Sequence, residues 1–244
     1  MGFSLNHETR EVFVRLKALF FPEVPYGVAR KCLALSAVVA FYTVAYMYLN
    51  EATFHGEKFY TVALPFEKDI PFVQELVPSY IFVYFLVITM FLALDSDALL
   101  SEAVKTFLVC MGIHLAFFYF MPVMMTERPH LVPNGNLWHD YAAFWYWVDK
   151  PTALFPSGHV SMSFLSAYYT RRIHPRLGNF CLVCAAYVGV SVVLIKQHYI
   201  ADVVAGYLLA TVSYLVFKRL DAKKEVGRPV RFETEEIAEG RKAA

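Results

Sequence analysis

The sequence predicts an all-α polytopic membrane protein with six transmembrane helices and both termini in the cytoplasm. Three observations lead there. The 244-residue chain is 58% hydrophobic and 17% aromatic, with a mean hydropathy of +0.45, more apolar than an ordinary soluble domain. Its apolar residues are gathered into runs near the ~20 residues that a helix needs to cross a ~30 Å hydrocarbon core. Lys and Arg collect in alternate connections between those runs, which orients such a chain in a bilayer.

Residues 1–30 read as an N-terminal cytoplasmic or interfacial segment. Arg10, Arg15, Lys17 and Arg30 all precede the first long apolar run, which does not fit a cleavable signal peptide. Residues 11–21 have the pattern of an amphipathic interfacial helix, with a plain cytoplasmic stub as the alternative. The spans follow at 31–49, 77–94, 104–125, 156–171, 178–195 and 199–218, so that residues 31–218 form one six-helix membrane domain. The fourth is short and polar at its start, as suits a helix that lines a site rather than facing lipid throughout. Residues 219–244 are charged and read as a disordered cytoplasmic tail.

The connections are informative too. Pro65 and Pro71 break any helix in the 50–76 loop. The 126–155 loop packs Trp138, Tyr141, Phe144, Trp145, Tyr146 and Trp147 between Pro133 and Pro151, a density that suits headgroup depth. Such a segment is an aromatic belt or, more sharply, a wall that admits a lipid sideways. Basic residues cluster before the first span, at Arg171, Arg172 and Arg176, and from Lys218 onward, which puts both ends of the chain inside. A net charge of +1 argues against a nucleic-acid partner. Cys32, Cys110, Cys181 and Cys184 all fall within apolar runs, so they read as small packing residues rather than as a redox or metal motif.

Two short segments carry chemistry. Pro156-Ser157-Gly158-His159 opens the fourth span, and His198-Tyr199-Ile200-Ala201-Asp202 opens the sixth. A Ser-Gly-His turn at a helix start aims backbone N–H groups at an anion, with the helix dipole favouring negative charge. A His four residues before an Asp puts imidazole and carboxylate on one helix face, where the Asp holds one ring nitrogen and leaves the other nucleophilic. With six spans, both segments lie at the same membrane depth on the non-cytoplasmic side. His130 and His139 lie on that side as candidate head-group contacts. His114 sits mid-span and suits an interhelical hydrogen bond, and Tyr199 suits interface packing.

These residues resemble the type 2 phosphatidic acid phosphatase superfamily of membrane lipid phosphatases and phosphotransferases. That family's pattern is Lys-x6-Arg-Pro, then Pro-Ser-Gly-His, then Ser-Arg-x5-His-x3-Asp. Here it finds Arg128-Pro129, the whole of Pro156–His159, Ser191, and His198 with Asp202. The resemblance implies that His198 attacks phosphorus, Asp202 orients it and His159 protonates the leaving oxygen. Arg128, Ser157 and Gly158 would hold the phosphoryl oxygens, and no metal or other cofactor is implied.

Two positions depart from the pattern: the family's first Lys falls on Met121, and its third-motif Arg on Val192. Losing two cations hurts a monoester dianion more than a singly charged diester. Sphingomyelin and inositol-phosphorylceramide synthases also lack that third-motif Arg while keeping both His and the Asp. Lys196 and Lys150 are the candidates to replace the missing charge, although Lys196 is expected on a different helix face from His198.

The sequence therefore reads as an integral, multi-pass membrane enzyme. It would release phosphate from a lipid or polyprenyl phosphate through a phosphohistidine, on the non-cytoplasmic side of the plasma membrane if bacterial. The alternative is a phosphotransferase that moves a phospho-head group between lipids. A reading from another class is a non-catalytic scaffold or transporter that retains only the fold.

Overall fold

A computed structural model of the chain describes residues 26–226, and in them seven α-helices and no β-strand. The expectations for 1–25 and 227–244, including the amphipathic helix at 11–21 and most of the tail, lie outside the described residues. Five helical segments are long and apolar enough to cross a membrane, and the chain is an integral membrane protein.

Helix α1 runs from Tyr26 to Phe54, longer at both ends than its apolar run. A 3-10 turn at Glu67–Asp69 follows, then a 3-10 helix at Gln74–Ile81 that leads into α2, Phe82–Ala93. Pro78 explains that start, because it has no N–H to give and clashes with an α-helical turn. Helix α3 spans Asp97–Phe120, several residues earlier than expected. Its start is fixed by Ser96, whose side chain accepts Leu99 N at 3.3 Å, so the acidic link assigned to 95–103 is largely its first two turns.

The 126–155 connection contains an extra helix, α4, at Leu137–Val148. Asn136 caps it by accepting Trp138 N and His139 N, both at 3.1 Å. Ala142 and Ala143 face inward against the Gln74–Ile81 helix, while Phe144 and Trp147 are exposed. Helices α5 (Gly158–Ile173), α6 (Pro175–Leu194) and α7 (Ile200–Val226) complete the chain. The helix that carries the sixth apolar run thus continues beyond 218 to Val226.

The helix α5 that falls short of spanning length and apolarity is also the one at the centre. It packs most heavily on α6, then on α2 and α7, and also touches α3. Ser161, Ser163, Ser166, Ala167 and Thr170 are fully buried along it. Small residues let neighbouring helices approach closely where lipid offers no hydrophobic driving force. Two of the hydroxyls are satisfied within the helix: Ser166 donates to Met162 O at 2.7 Å and Thr170 to Ser166 O at 2.8 Å, whereas Ser163 Oγ has no partner among the described residues. Around α5 lies a core from Val38, Val87, Met90, Phe107, Leu165 and Ala210, drawn from five helices.

The two ends of the bundle differ in chemistry. At one end Arg30 pairs with Asp97, and Arg172 grips the buried Glu102 with contacts of 2.9 and 2.7 Å. At the other end Asn50 meets Thr152, and His159 meets His198, each pair from distant parts of the chain.

Candidate active site

Ser157 caps α5. Its side chain accepts Val160 N at 3.4 Å, and its own N–H donates to Asp202 O at 3.0 Å. Pro156 precedes the cap rather than occupying the first helical position. Gly158 and His159 are therefore the first two residues of the helix, where N–H groups have no intrahelical partner. Two close approaches require glycine here. A Cβ on Gly158 would stand 2.8 Å from the Tyr42 hydroxyl, and one on Gly206 would stand 2.5 Å from Ser157 O. Gly206 thus lets α7 cross directly over the Ser157 turn.

The second motif is arranged differently from a helix face. His198 lies in the connection between α6 and α7, and the helix begins only at Ile200. Val192 O accepts both Gln197 N at 2.9 Å and His198 N at 3.0 Å, which folds the connection back on α6. Asp202, in the first turn of α7, accepts Tyr199 N at 2.8 Å and meets His198 Nδ1 at 3.4 Å through the same oxygen, Oδ2. Its other oxygen, Oδ1, is buried with no hydrogen-bond partner among the described residues. The i to i+4 pairing thus arises from a loop residue meeting a helix N-terminus.

The two motifs meet: His159 Nδ1 lies 3.3 Å from His198 Nε2. His198 is buried, and the ring of Tyr80 covers His159 at 4.2 Å between centroids. Tyr80 is itself anchored. It and Tyr46 both donate their hydroxyls to the carboxylate of Asp149, which is 4% exposed. Burying a carboxylate is costly unless it is hydrogen-bonded, and here each oxygen has a donor.

Arg128 reaches the same place from the loop after α3. Its guanidinium donates to Asp149 O at 2.5 Å, to Lys196 O at 3.4 Å and to Gln197 Oε1, and lies 4.5 Å from the centroid of the Tyr146 ring. Gln197 is buried, and its Nε2 has no partner among the described residues. Neither Gln197 nor the Asp149–Tyr80–Tyr46 group stood out in the sequence. The one signal for Gln197 was its place before His198, and the other three are brought together only by folding.

The remaining expected residues are placed as follows. Lys196 does not share a helix with His198; it sits in the connection with φ of 51°, a left-handed conformation, and its Nζ donates to Glu67 O at 2.9 Å. Lys150 Nζ lies 5.7 Å from the centroid of the Phe54 ring. Met121 joins a cluster with Val123 and Leu154, and Val192 is fully buried against Val160 and Val188. Tyr199, expected at the interface, is 1% exposed instead, with its hydroxyl donated to Glu127 at 2.5 Å. Burial works to raise the Glu127 carboxyl, but hydrogen bonds from Tyr199 and Thr126 outweigh it and hold the group below its usual range. His114 Nε2 meets Ser161 Oγ at 2.9 Å, an interhelical bond between α3 and α5. His139 Nε2 meets Val132 O at 3.0 Å, and His130 is exposed.

Comparison with known proteins agrees with the motifs. No curated protein matches the chain, and no solved structure does. One family model, described as PAP2 superfamily, matches residues 70–216. That stretch holds Arg128, both histidines and Asp202 and covers more than half of the sequence: the chain belongs to the PAP2 superfamily, the phosphatidic acid phosphatase type 2 group of proteins.

Proposed function

We propose that this protein is a membrane lipid phosphate phosphatase that works through a phosphohistidine. The observation that carries the reading is the line Asp202–His198–His159, with contacts of 3.4 and 3.3 Å. With Nδ1–H donated to Asp202, His198 keeps the lone pair on Nε2. That nitrogen attacks phosphorus, and the bond from phosphorus to the lipid oxygen breaks as His159 gives that oxygen a proton. In the second half His159 takes a proton from water, whose oxygen attacks phosphorus, and the P–N bond breaks to return His198 and release phosphate.

The developing charge on the phosphoryl oxygens falls to the N–H groups at Gly158 and His159, to Arg128 and to the free amide hydrogens of Gln197. Lys196 and Lys150 are the two further cations proposed for the phosphate. Both have other contacts in this arrangement, with Glu67 O and the Phe54 ring, and must leave them to serve. The proposed side of the membrane rests on charge: Arg171, Arg172, Arg176 and Lys218 lie at the bundle end away from the histidines, which by the positive-inside rule supports a reaction on the non-cytoplasmic face.

A second reading, transfer of a phospho-head group between lipids, has its own support. Met121 and Val192 both sit in apolar clusters, so the two positions give no charge to a dianion. A labelled lipid phosphate incubated with and without an acceptor lipid separates the two. Free phosphate without acceptor supports the phosphatase; product that requires acceptor overturns it in favour of the transferase. His198→Ala is expected to lower turnover by several powers of ten while leaving the protein folded. Unchanged turnover in that variant would remove His198 as nucleophile, and no turnover of any lipid phosphate by the parent protein would favour the scaffold reading.

A further inference from the structure

A cavity of about 320 Å³ runs from the two histidines into the bundle. His159, His198 and Asp149 lie at one end. From there its walls are apolar: Val39 and Met47 from α1, Val83 and Val87 from α2, Phe107 and Met111 from α3. The lining of α1 extends from Met47 back to Leu35. The twelve helical steps between them, at ~1.5 Å each, make a depth of roughly 18 Å. One leaflet of a ~30 Å hydrocarbon core is roughly 15 Å thick, so the cavity is as deep as the reach of one lipid chain in its own leaflet.

The cavity also faces the bilayer along one side. Met47 on α1 and Tyr84 and Ile88 on α2 line it while remaining 39%, 45% and 46% exposed, so the seam between these two helices is a lateral mouth. The seam is closed at its far end, where Lys31 Nζ donates to Leu92 O at 3.3 Å. Val38 and Phe107, which line the cavity towards its Leu35 end and are 4% and 0% exposed, are the residues we read as its floor.

We propose that this cavity binds one hydrocarbon chain of the lipid substrate, admitted sideways between α1 and α2, and that Val38 and Phe107 set the chain length accepted. The inference rests on the phosphatase reading only for where the phosphate sits. It also moves the lateral opening away from the aromatic segment, since α4 supplies Trp145 and Val148 to the wall near the histidines rather than the mouth. Apolar burial at ~0.8 kcal/mol per methylene makes the affinity rise with each carbon until the floor is reached.

The test uses the full-length protein in mixed micelles, with decyl phosphate and hexadecyl phosphate as probes. In the parent protein kcat/KM should climb from butyl through decyl to hexadecyl phosphate and then level off. Val38→Trp, which raises the floor, should lower the hexadecyl-to-decyl ratio at least tenfold, mainly through KM. Val87→Trp narrows the same cavity from α2 and should move the ratio the same way, and Val38→Ala should not lower it. Binding of the two labelled lipids to His198→Ala protein reads the same ratio without turnover. A flat chain-length series, or a ratio unmoved by both Trp variants when folded, overturns the chain-binding inference. Chain-dependent binding without any phosphate release instead overturns the phosphatase reading alone.

Discussion

Arg128 does two jobs at once. In the proposed site it supplies positive charge to the phosphate, and it ties together the connections that carry Asp149, Lys196 and Gln197. A planar fork suits this, because it donates in several directions while its face rests on Tyr146. Lysine keeps the charge but has no such fork. Arg128→Lys is therefore expected to lower kcat/KM by roughly 100-fold, in the range found for losing a single charge-stabilising donor. A steady-state assay with a lipid phosphate checks this, and full activity would show that charge alone is needed. The residue was legible because Arg128-Pro129 matches the Arg-Pro of the family's first motif. Its partners were not: Asp149 is 69 residues from Tyr80 and 103 from Tyr46, and no local pattern links them.

At the scale of elements, the site is a junction of two helix N-termini. The α5 start supplies Ser157, Gly158 and His159; the α7 start supplies Asp202, with His198 just before it. Gly206 sets how close these two can come. Its replacement by alanine drives a Cβ into Ser157 O and Cβ, at 2.5 and 3.3 Å, and the nearer obstacle is backbone that cannot swing aside. Gly206→Ala should destabilise the protein by about 1–3 kcal/mol, the usual cost of overpacking, and reduce activity as the Ser157 turn shifts. Thermal unfolding and turnover measured together check it, and an unchanged melting temperature would mean that α7 yields freely. A helix stands at each of the six expected runs, five of them apolar enough to span and α5 short and weakly apolar. Hydropathy misplaced the start of α3 because a cap at Ser96 outweighs the charges of Asp97 and Glu102 inside the helix. It missed α4 because a helix of aromatics bounded by prolines looks the same as an aromatic loop.

For the whole molecule, the bundle separates a basic end from a catalytic end. The proposed orientation predicts opposite labelling of two engineered cysteines in intact cells. Asn134→Cys, in the exposed loop before α4, should react with a membrane-impermeant thiol reagent added outside. Arg176→Cys, at the exposed start of α6, should react only after the cells are opened. The reverse pattern would invert the molecule and place the histidines in the cytoplasm. Six-helix organisation is proposed on the same basis. Five segments meet the length and apolarity of a span, and α5 lies among them, shielded from lipid by its neighbours. A helix so enclosed need not be apolar itself, which is why its sequence is rich in serine.

The sequence by itself determined the class of protein, the approximate helices and the residues of the two motifs. Each of these is local: an apolar run, a Ser-Gly-His turn, a histidine four positions before an aspartate. Only the tertiary structure decided how they are used. It brought His159 within 3.3 Å of His198 across 39 residues of chain and built a buried carboxylate under the tyrosine that covers His159. It left a cavity of about 320 Å³ beside them, lined by α1, α2, α3, α4 and α5. The physical reason is that contacts between distant residues depend on how helices pack, and packing depends on where small residues allow close approach. Gly206 against Ser157 and the serines of α5 are where that was settled, and neither announces itself in a hydropathy profile.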